Sequence, residues 1–186
     1  MLASGAPTLT PEYWEEVFVE EDPWGYGDSA YESWKFERTL SLLPKRRFAR
    51  ALEIGCAEGH LSSRLAPLVG ELTAIDISPT AITRARARCA GFANVECRVL
   101  NLASDNLPEN LDLIVCSEIL FYLPLEMLAG IAAKIAASLK AGGYLLLAHG
   151  NQIVDDPTRT GFDWGHLFGA KKIGDVFAAL GSLSLV

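Results

Sequence analysis

The chain has 186 residues, half of them apolar and 21% charged, which suits one globular domain and is too apolar for disorder. A formal net charge of −7 argues against a phosphate-backbone partner, and no apolar run approaches the roughly 18 residues needed to span a bilayer. Met1 to Thr10 lack a basic segment followed by an apolar stretch, so a signal peptide is not expected, and the expected location is cytoplasmic.

Four cysteines, Cys56, Cys89, Cys97 and Cys116, form no CxxC pair and read as reduced structural thiols, with no metal expected. Thr10-Pro11-Glu12 reads as the cap and first turn of a short helix through Val19. A turn, Asp22 to Asp28, leads to a second helix over Ser29 to Leu43, stopped by Pro44 and the basic run Lys45-Arg46-Arg47.

Strand and helix then alternate. Strands are predicted at 51–54, 71–76, 95–100, 111–116 and 144–148. Helices are predicted after the first glycine turn to Leu65, from Ser78 to Cys89, from Leu125 to Leu139, and from Ala170 to Leu180. Lys140-Ala141-Gly142-Gly143 reads as the stop of the third of these. Near-continuous apolar strands separated by helices predict an α/β fold with a doubly wound, mainly parallel sheet and a ligand cleft beyond the carboxyl ends of the strands. Residues 1–48 are expected to form a helical cap and 49–186 the core of a single domain.

The first strand–helix turn, Glu53-Ile54-Gly55-Cys56-Ala57-Glu58-Gly59, is the most informative stretch. Its glycines permit close approach of a ligand to backbone, and the following helix offers N-terminal amides. A dinucleotide fingerprint would read G-x-G-x-x-G; here the spacing is shorter and Ala57 takes the middle position. The carboxylate of Glu53 suits an ammonium group rather than a pyrophosphate, which favours S-adenosylmethionine (SAM) over NAD. Asp76, ending the second strand, suits the two ribose hydroxyls, with Ile77 beside it. Asn101 and Leu102 are placed to bracket an adenine, and Cys56, Ala57 and Ser117 complete the expected cofactor contacts.

Together these residues resemble the class I SAM-dependent methyltransferases, whose E/D-x-G-x-G-x-G motif and fourth-strand motif match Glu53 to Gly59 and Asp112 to Glu118. A Rossmann-like core follows from that resemblance. Asp22-Pro23-Trp24, Tyr31-Glu32, Lys35, Ser117 to Tyr122, His149 and Thr160-Gly161 resemble the nodulation-protein-S-type N-methyltransferases, which implies an amino-sugar or related amine acceptor. Family members usually end with two more strands. Here Ser182 to Val186 is placed to begin a sixth strand and the chain then stops, so either the sheet lacks its last hairpin, or the chain is shortened, or another subunit covers the exposed edge.

An amine must lose a proton before it attacks a sulfonium methyl. Glu118, Tyr122 and His149 stand at carboxyl ends of strands and are the catalytic candidates, with His149 expected to titrate near neutrality. Trp24 and Trp164 lie in turn-rich loops as acceptor contacts, whereas Tyr31 and Trp34 are expected to pack on the core. The loop from Gly150 to Gly169 has the length of a lid. Asp163, His149 and His166 match no familiar metal spacing. The expected partner is a small-molecule acceptor, without nucleic acid or membrane, and the expected assembly a monomer or homodimer. A small-molecule O-methyltransferase and a SAM-binding regulatory protein without turnover are the alternative functions, with an NAD-dependent oxidoreductase disfavoured by the turn.

Overall fold

A computed structural model describes residues 10–156, 158, 161, 163, 165–184 and 186. Two helices come first, α1 (Pro11–Val17) and α2 (Ala30–Ser41), with Thr10 and Ser29 as their N-caps. Each cap hydroxyl accepts a first-turn N–H, from Tyr13 and Glu32 respectively. The alternating part comprises β1 (Phe48–Ile54), α3 (His60–Leu65), β2 (Val69–Asp76), α4 (Pro79–Arg88), β3 (Val95–Val99), β4 (Leu111–Ser117), α5 (Leu125–Ser138), β5 (Leu139–Ala148) and α6 (Ala170–Ala178). Short 3₁₀ turns occupy Ala66–Leu68 and Leu120–Tyr122.

All five strands are parallel, in the order β3-β2-β1-β4-β5. The order reverses at β1, so the crevice of a doubly wound sheet opens beyond the ends of β1 and β4. Those two strands are its buried centre: 51–54 and 111–116 are all shielded from solvent. Alternate side chains serve the two faces. Leu52, Ile54, Ile114 and Cys116 pack with Leu128, Ile131 and Ile135 of α5 and Ile173 and Phe177 of α6. Ala51, Leu113 and Val115 face Phe36, Leu61 and Leu65 of α2 and α3. Each large apolar side chain so enclosed stabilises the fold by about 1.5–3 kcal/mol.

The predicted helix stop at Lys140–Gly143 is instead part of β5. Helix α5 ends at Ser138 and runs straight into the strand, whose register against β4 jumps from Leu111↔Leu139 to Leu113↔Tyr144. Gly142 takes φ +72°, and a Cβ at Gly143 would lie 2.8 Å from the Leu111 carbonyl oxygen. The glycines therefore shape a strand irregularity that lets Lys140 reach Asp112. Asp112 also accepts the N–H groups of Ala49 and Arg50, so the acid of the fourth-strand motif ties β4 to β1 at the end remote from the crevice.

Residues 182–184 and 186 belong to no strand, and β3 and β5 are the sheet's two edges among the described residues. Tyr31 and Trp34 are not core residues. They lie 55% and 59% exposed on α2, with ring centroids 6.1 Å apart. The four thiols are free and buried. Among the described residues, no helix is long and apolar enough to cross a membrane.

Candidate active site

The carboxyl ends of β1, β2, β3 and β4 open into one cavity of about 660 Å³. Such a volume sits within the roughly 300–1,000 Å³ of small-molecule sites. Its floor is the bend after β1. Gly55 has φ +75°, and a Cβ there would come within 2.8 Å of the Ile119 side chain, so only glycine fits without displacing the segment after β4. Ala57 adopts φ +47°, a left-handed conformation that costs a non-glycine residue about 1–2 kcal/mol. Gly59, at φ +81°, does not line the cavity. It lets α3 begin where a Cβ would stand 3.1 Å from the Ala85 backbone of α4, so its part is helix packing rather than ligand contact.

Glu53 reaches the cavity from β1 with 2% of its surface exposed, and its Oε2 has no hydrogen-bond partner. Burial raises its carboxyl to about 8. A buried carboxylate oxygen without a partner needs a cation or donor to complete it. Asp76 lines the same cavity and is also held above the usual carboxylate range by burial. Its Oδ2 accepts the Ala57 N–H at 2.9 Å and its Oδ1 the Ser78 N–H at 3.0 Å. A carboxylate offers about four lone-pair sites, so acceptor capacity is left for a ligand hydroxyl.

Cys56, Ala57, Ile77, Asn101, Leu102 and Ser117 all line the cavity. The side-chain oxygen of Asn101 accepts the Ala103 N–H at 2.8 Å, which leaves its amide NH₂ as the group for a ligand. Cys56 is buried and its thiol is pushed well above the ordinary thiol range by desolvation, so it acts as wall rather than nucleophile.

The roof comes from the N-terminal segment. Trp14 of α1 and its C-cap Phe18, Trp24 and Tyr26 of the following turn, and Glu32 and Lys35 of α2 all face the cavity. Two clasps fasten this roof. Glu15 accepts the Ser78 hydroxyl at 2.5 Å, the Thr80 hydroxyl at 2.7 Å and the Thr80 N–H at 3.1 Å. Glu58, 2% exposed, accepts the Asp22 N–H and pairs with Arg84 at 2.6 Å. His60 stands beside this second clasp, its Nε2 3.8 Å from Asp22 and 4.0 Å from Glu58. The Arg84 guanidinium already neutralises Glu58, so the trio serves as a fastening rather than a cation cage. Neither clasp is apparent in the sequence, because Glu15 and Asp22 meet α3 and α4 only once the roof has folded over the sheet.

The three catalytic candidates separate. Glu118 lines the cavity at φ +53°, accepts the Gly150 N–H at 3.1 Å through Oε2, and is raised by burial. Tyr122 lines it too, its ring edge-on to Trp14 at 4.9 Å and to His166 at 4.9 Å. Burial likewise raises its phenol. His149 does not line the cavity. Its Nε2 accepts the Leu120 N–H at 3.2 Å, and burial lowers the imidazole to about 3. A ring whose lone pair already holds a backbone N–H, enclosed at that pKa, fixes the 3₁₀ turn after β4 and is not available as a base near neutrality. His166 is the histidine of the last loop that does reach the cavity, packed on Phe121 at 4.4 Å. Trp164, the other proposed acceptor contact, and Thr160 lie outside the described residues.

Lys35 pairs with Glu32 at 2.6 Å across one helical turn and approaches the faces of Tyr26 and Tyr31 at 5.9 and 6.0 Å. Glu32, Glu53, Asp76, Glu118 and Asp163 also face the cavity, so acids dominate it.

The family model for Nodulation protein S (NodS) matches residues 12–185. Nodulation protein S of Bradyrhizobium diazoefficiens is 31% identical over 170 residues, covering 88% of this chain and 76% of that protein. The protein of the same name from Sinorhizobium fredii is 32% identical over 157 residues, covering 82% and 69%. The crystal structure of the N-methyltransferase NodS from Bradyrhizobium japonicum WM9 with S-adenosyl-L-homocysteine superposes with a TM-score of 0.80 at 29% identity, covering 92% of this chain and 85% of that one.

Proposed function

The chain belongs to the nodulation protein S family of SAM-dependent N-methyltransferases, and from that premise we propose that its cavity presents the amine of a small molecule, an amino sugar or a related compound, to the methyl group of SAM. When bound, SAM supplies a methyl carbon already activated by a sulfonium leaving group. What the protein must add is position and a proton acceptor.

Glu53 carries the cofactor part of the reading. Its unpartnered, buried oxygen beside the Gly55 bend suits the ammonium of the methionine moiety, and Gly55 removes the side chain that would fill the space. Asp76 is assigned to the ribose hydroxyls, Asn101 and Leu102 to the adenine, and Cys56, Ala57, Ile77 and Ser117 to the walls. Of the described residues, those before β1, 10–47, act as the cap, and Phe48, the first residue of β1, belongs with the core.

Glu118 is assigned to the acceptor. A carboxylate at the end of β4, beside the sulfonium end of such a site, attracts and orients an ammonium. Tyr122 holds a wall between Trp14 and His166, and Trp24 offers a flat apolar surface. The test uses ¹³C-methyl SAM with D-glucosamine and other small primary amines. Carbon resonances separate N-methyl from O-methyl products. An N-methyl product supports the reading. O-methyl products alone, or SAM binding without transfer to any acceptor, would replace it with one of the two alternatives.

A further inference from the structure

We propose that His166 is the base that removes the acceptor's proton, an assignment that rests on the amine reading above. Most other proton acceptors facing this cavity are engaged or misplaced. Glu53 in β1 and Asp76 at the end of β2 are the groups assigned above to the cofactor. Glu32 is paired with Lys35. His60 turns its Nε2 toward Asp22 and Glu58 in the roof clasp. His149 does not line the cavity, and its Nε2 accepts the Leu120 N–H. Glu118 remains, but as the carboxylate that holds the ammonium it would bind the acceptor more strongly by staying ionised.

His166 differs from all of these. It lines the cavity from the loop before α6, in ring contact with Tyr122, which also meets Trp14. Its ring lies against Phe121, 4.4 Å between centroids at 32°, and meets Tyr122 edge-on at 89°. Two aromatic neighbours fix the imidazole plane without using its nitrogens. The groups packed on it from the 3₁₀ turn are an apolar ring and a neutral phenol, and its own loop brings Asp163 to the same cavity. Burial keeps the imidazole below its usual range, hence neutral and able to accept a proton at pH 7.

An N–H bond of the ammonium breaks, its electron pair stays on nitrogen, and the proton passes to an imidazole nitrogen of His166. That lone pair then forms the N–C bond as the S–C bond breaks, the pair leaving on sulfur. The products are S-adenosylhomocysteine and a methylammonium, and the imidazolium releases one proton to solvent.

The experiment compares wild-type protein with His166→Gln and His166→Ala, using SAM and the primary amine turned over fastest, with D-glucosamine first. Calorimetry with S-adenosylhomocysteine reports the cofactor site independently. The expected result is a kcat loss of at least ~100-fold in both variants, with cofactor affinity unchanged. The acid limb of the pH–rate profile moves to higher pH in His166→Gln, because the amine must then deprotonate unaided, and added imidazole restores part of the rate in His166→Ala. Wild-type kcat and an unmoved acid limb in His166→Gln would overturn the assignment while leaving amine methylation intact. Failure of the wild-type protein to methylate any amine would remove both.

Discussion

The Asp76 carboxylate accepts the backbone N–H of Ala57 at 2.9 Å, so the acid that ends β2 also shapes the bend that ends β1. One side chain thereby links two halves of the proposed cofactor site. The link matters because Ala57 stands where the wider methyltransferase motif has glycine, and its φ of +47° is left-handed.

Replacing Ala57 by glycine should relieve that strain. We expect Ala57→Gly to raise unfolding stability by about 1 kcal/mol, read from urea midpoints, with affinity for S-adenosylhomocysteine kept within about threefold. A fall in stability would mean that the methyl group packs more usefully than the backbone conformation costs.

Glu53 should make cofactor binding pH-dependent. Its free-state carboxyl lies near 8, so at pH 7 it is largely protonated, whereas an ammonium partner would hold it ionised. Binding at pH 7 should therefore release protons, and affinity should rise with pH until about 8 and then level off. Calorimetry in buffers of different ionisation enthalpy measures the release directly. Glu53→Gln should bind more weakly and release none.

The roof clasp at Glu15 accepts three hydrogen bonds from Ser78 and Thr80 at the start of α4. Glu15→Ala should loosen α1, and with it Trp14 and Phe18, from the cavity. The expected outcome is several-fold weaker binding of S-adenosylhomocysteine with near-normal circular dichroism. Hydrogen exchange should rise in 11–17 while β1 and β4 stay protected. Unchanged affinity would detach the roof from cofactor retention.

His149 should be an acid-sensitive point of the fold. An imidazole lowered to about 3 stays neutral while the unfolded chain takes up a proton near 6.5. Its contribution is therefore complete above pH 6.5 and is lost as pH falls from there toward 3, at up to about 1.4 kcal/mol per unit. His149→Gln, which retains an acceptor for the Leu120 N–H, should lose less stability than wild type between pH 7 and pH 5. Equal losses would place the acid sensitivity elsewhere.

The sheet, and the meeting of the ends of β1 and β2 at one cavity, were legible because both follow from local patterns. The apolar runs of β1 and β4 are buried on two faces, and Glu53, Gly55 and Asp76 sit at strand ends whose place follows from the strand order. What escaped depended on distant partners. Gly142 and Gly143 resemble a helix stop until β4 is placed beside them, and Gly59 looks like a ligand contact until α4 packs on it. His149 and His166 differ little as sequence. Only the 3₁₀ turn after β4 decides between them, bonding one ring from behind and stacking on the other from the cavity side. Lys35 and Glu32 became site residues because α2 folds over the crevice, which no periodicity within α2 reveals.

The most direct test of the site is calorimetric titration of S-adenosylhomocysteine into wild-type, Glu53→Gln and Asp76→Asn proteins at pH 8. Asparagine keeps one oxygen for the Ala57 N–H and loses the oxygen that accepts the Ser78 N–H, so the variant removes the charge and one backbone bond while the bond to the bend is retained. We predict one site in the wild type and, in each variant, a loss of affinity of about tenfold or more, as expected for removing a hydrogen-bonded charge. Wild-type affinity in both variants would contradict the placement of the cofactor between Glu53 and Asp76.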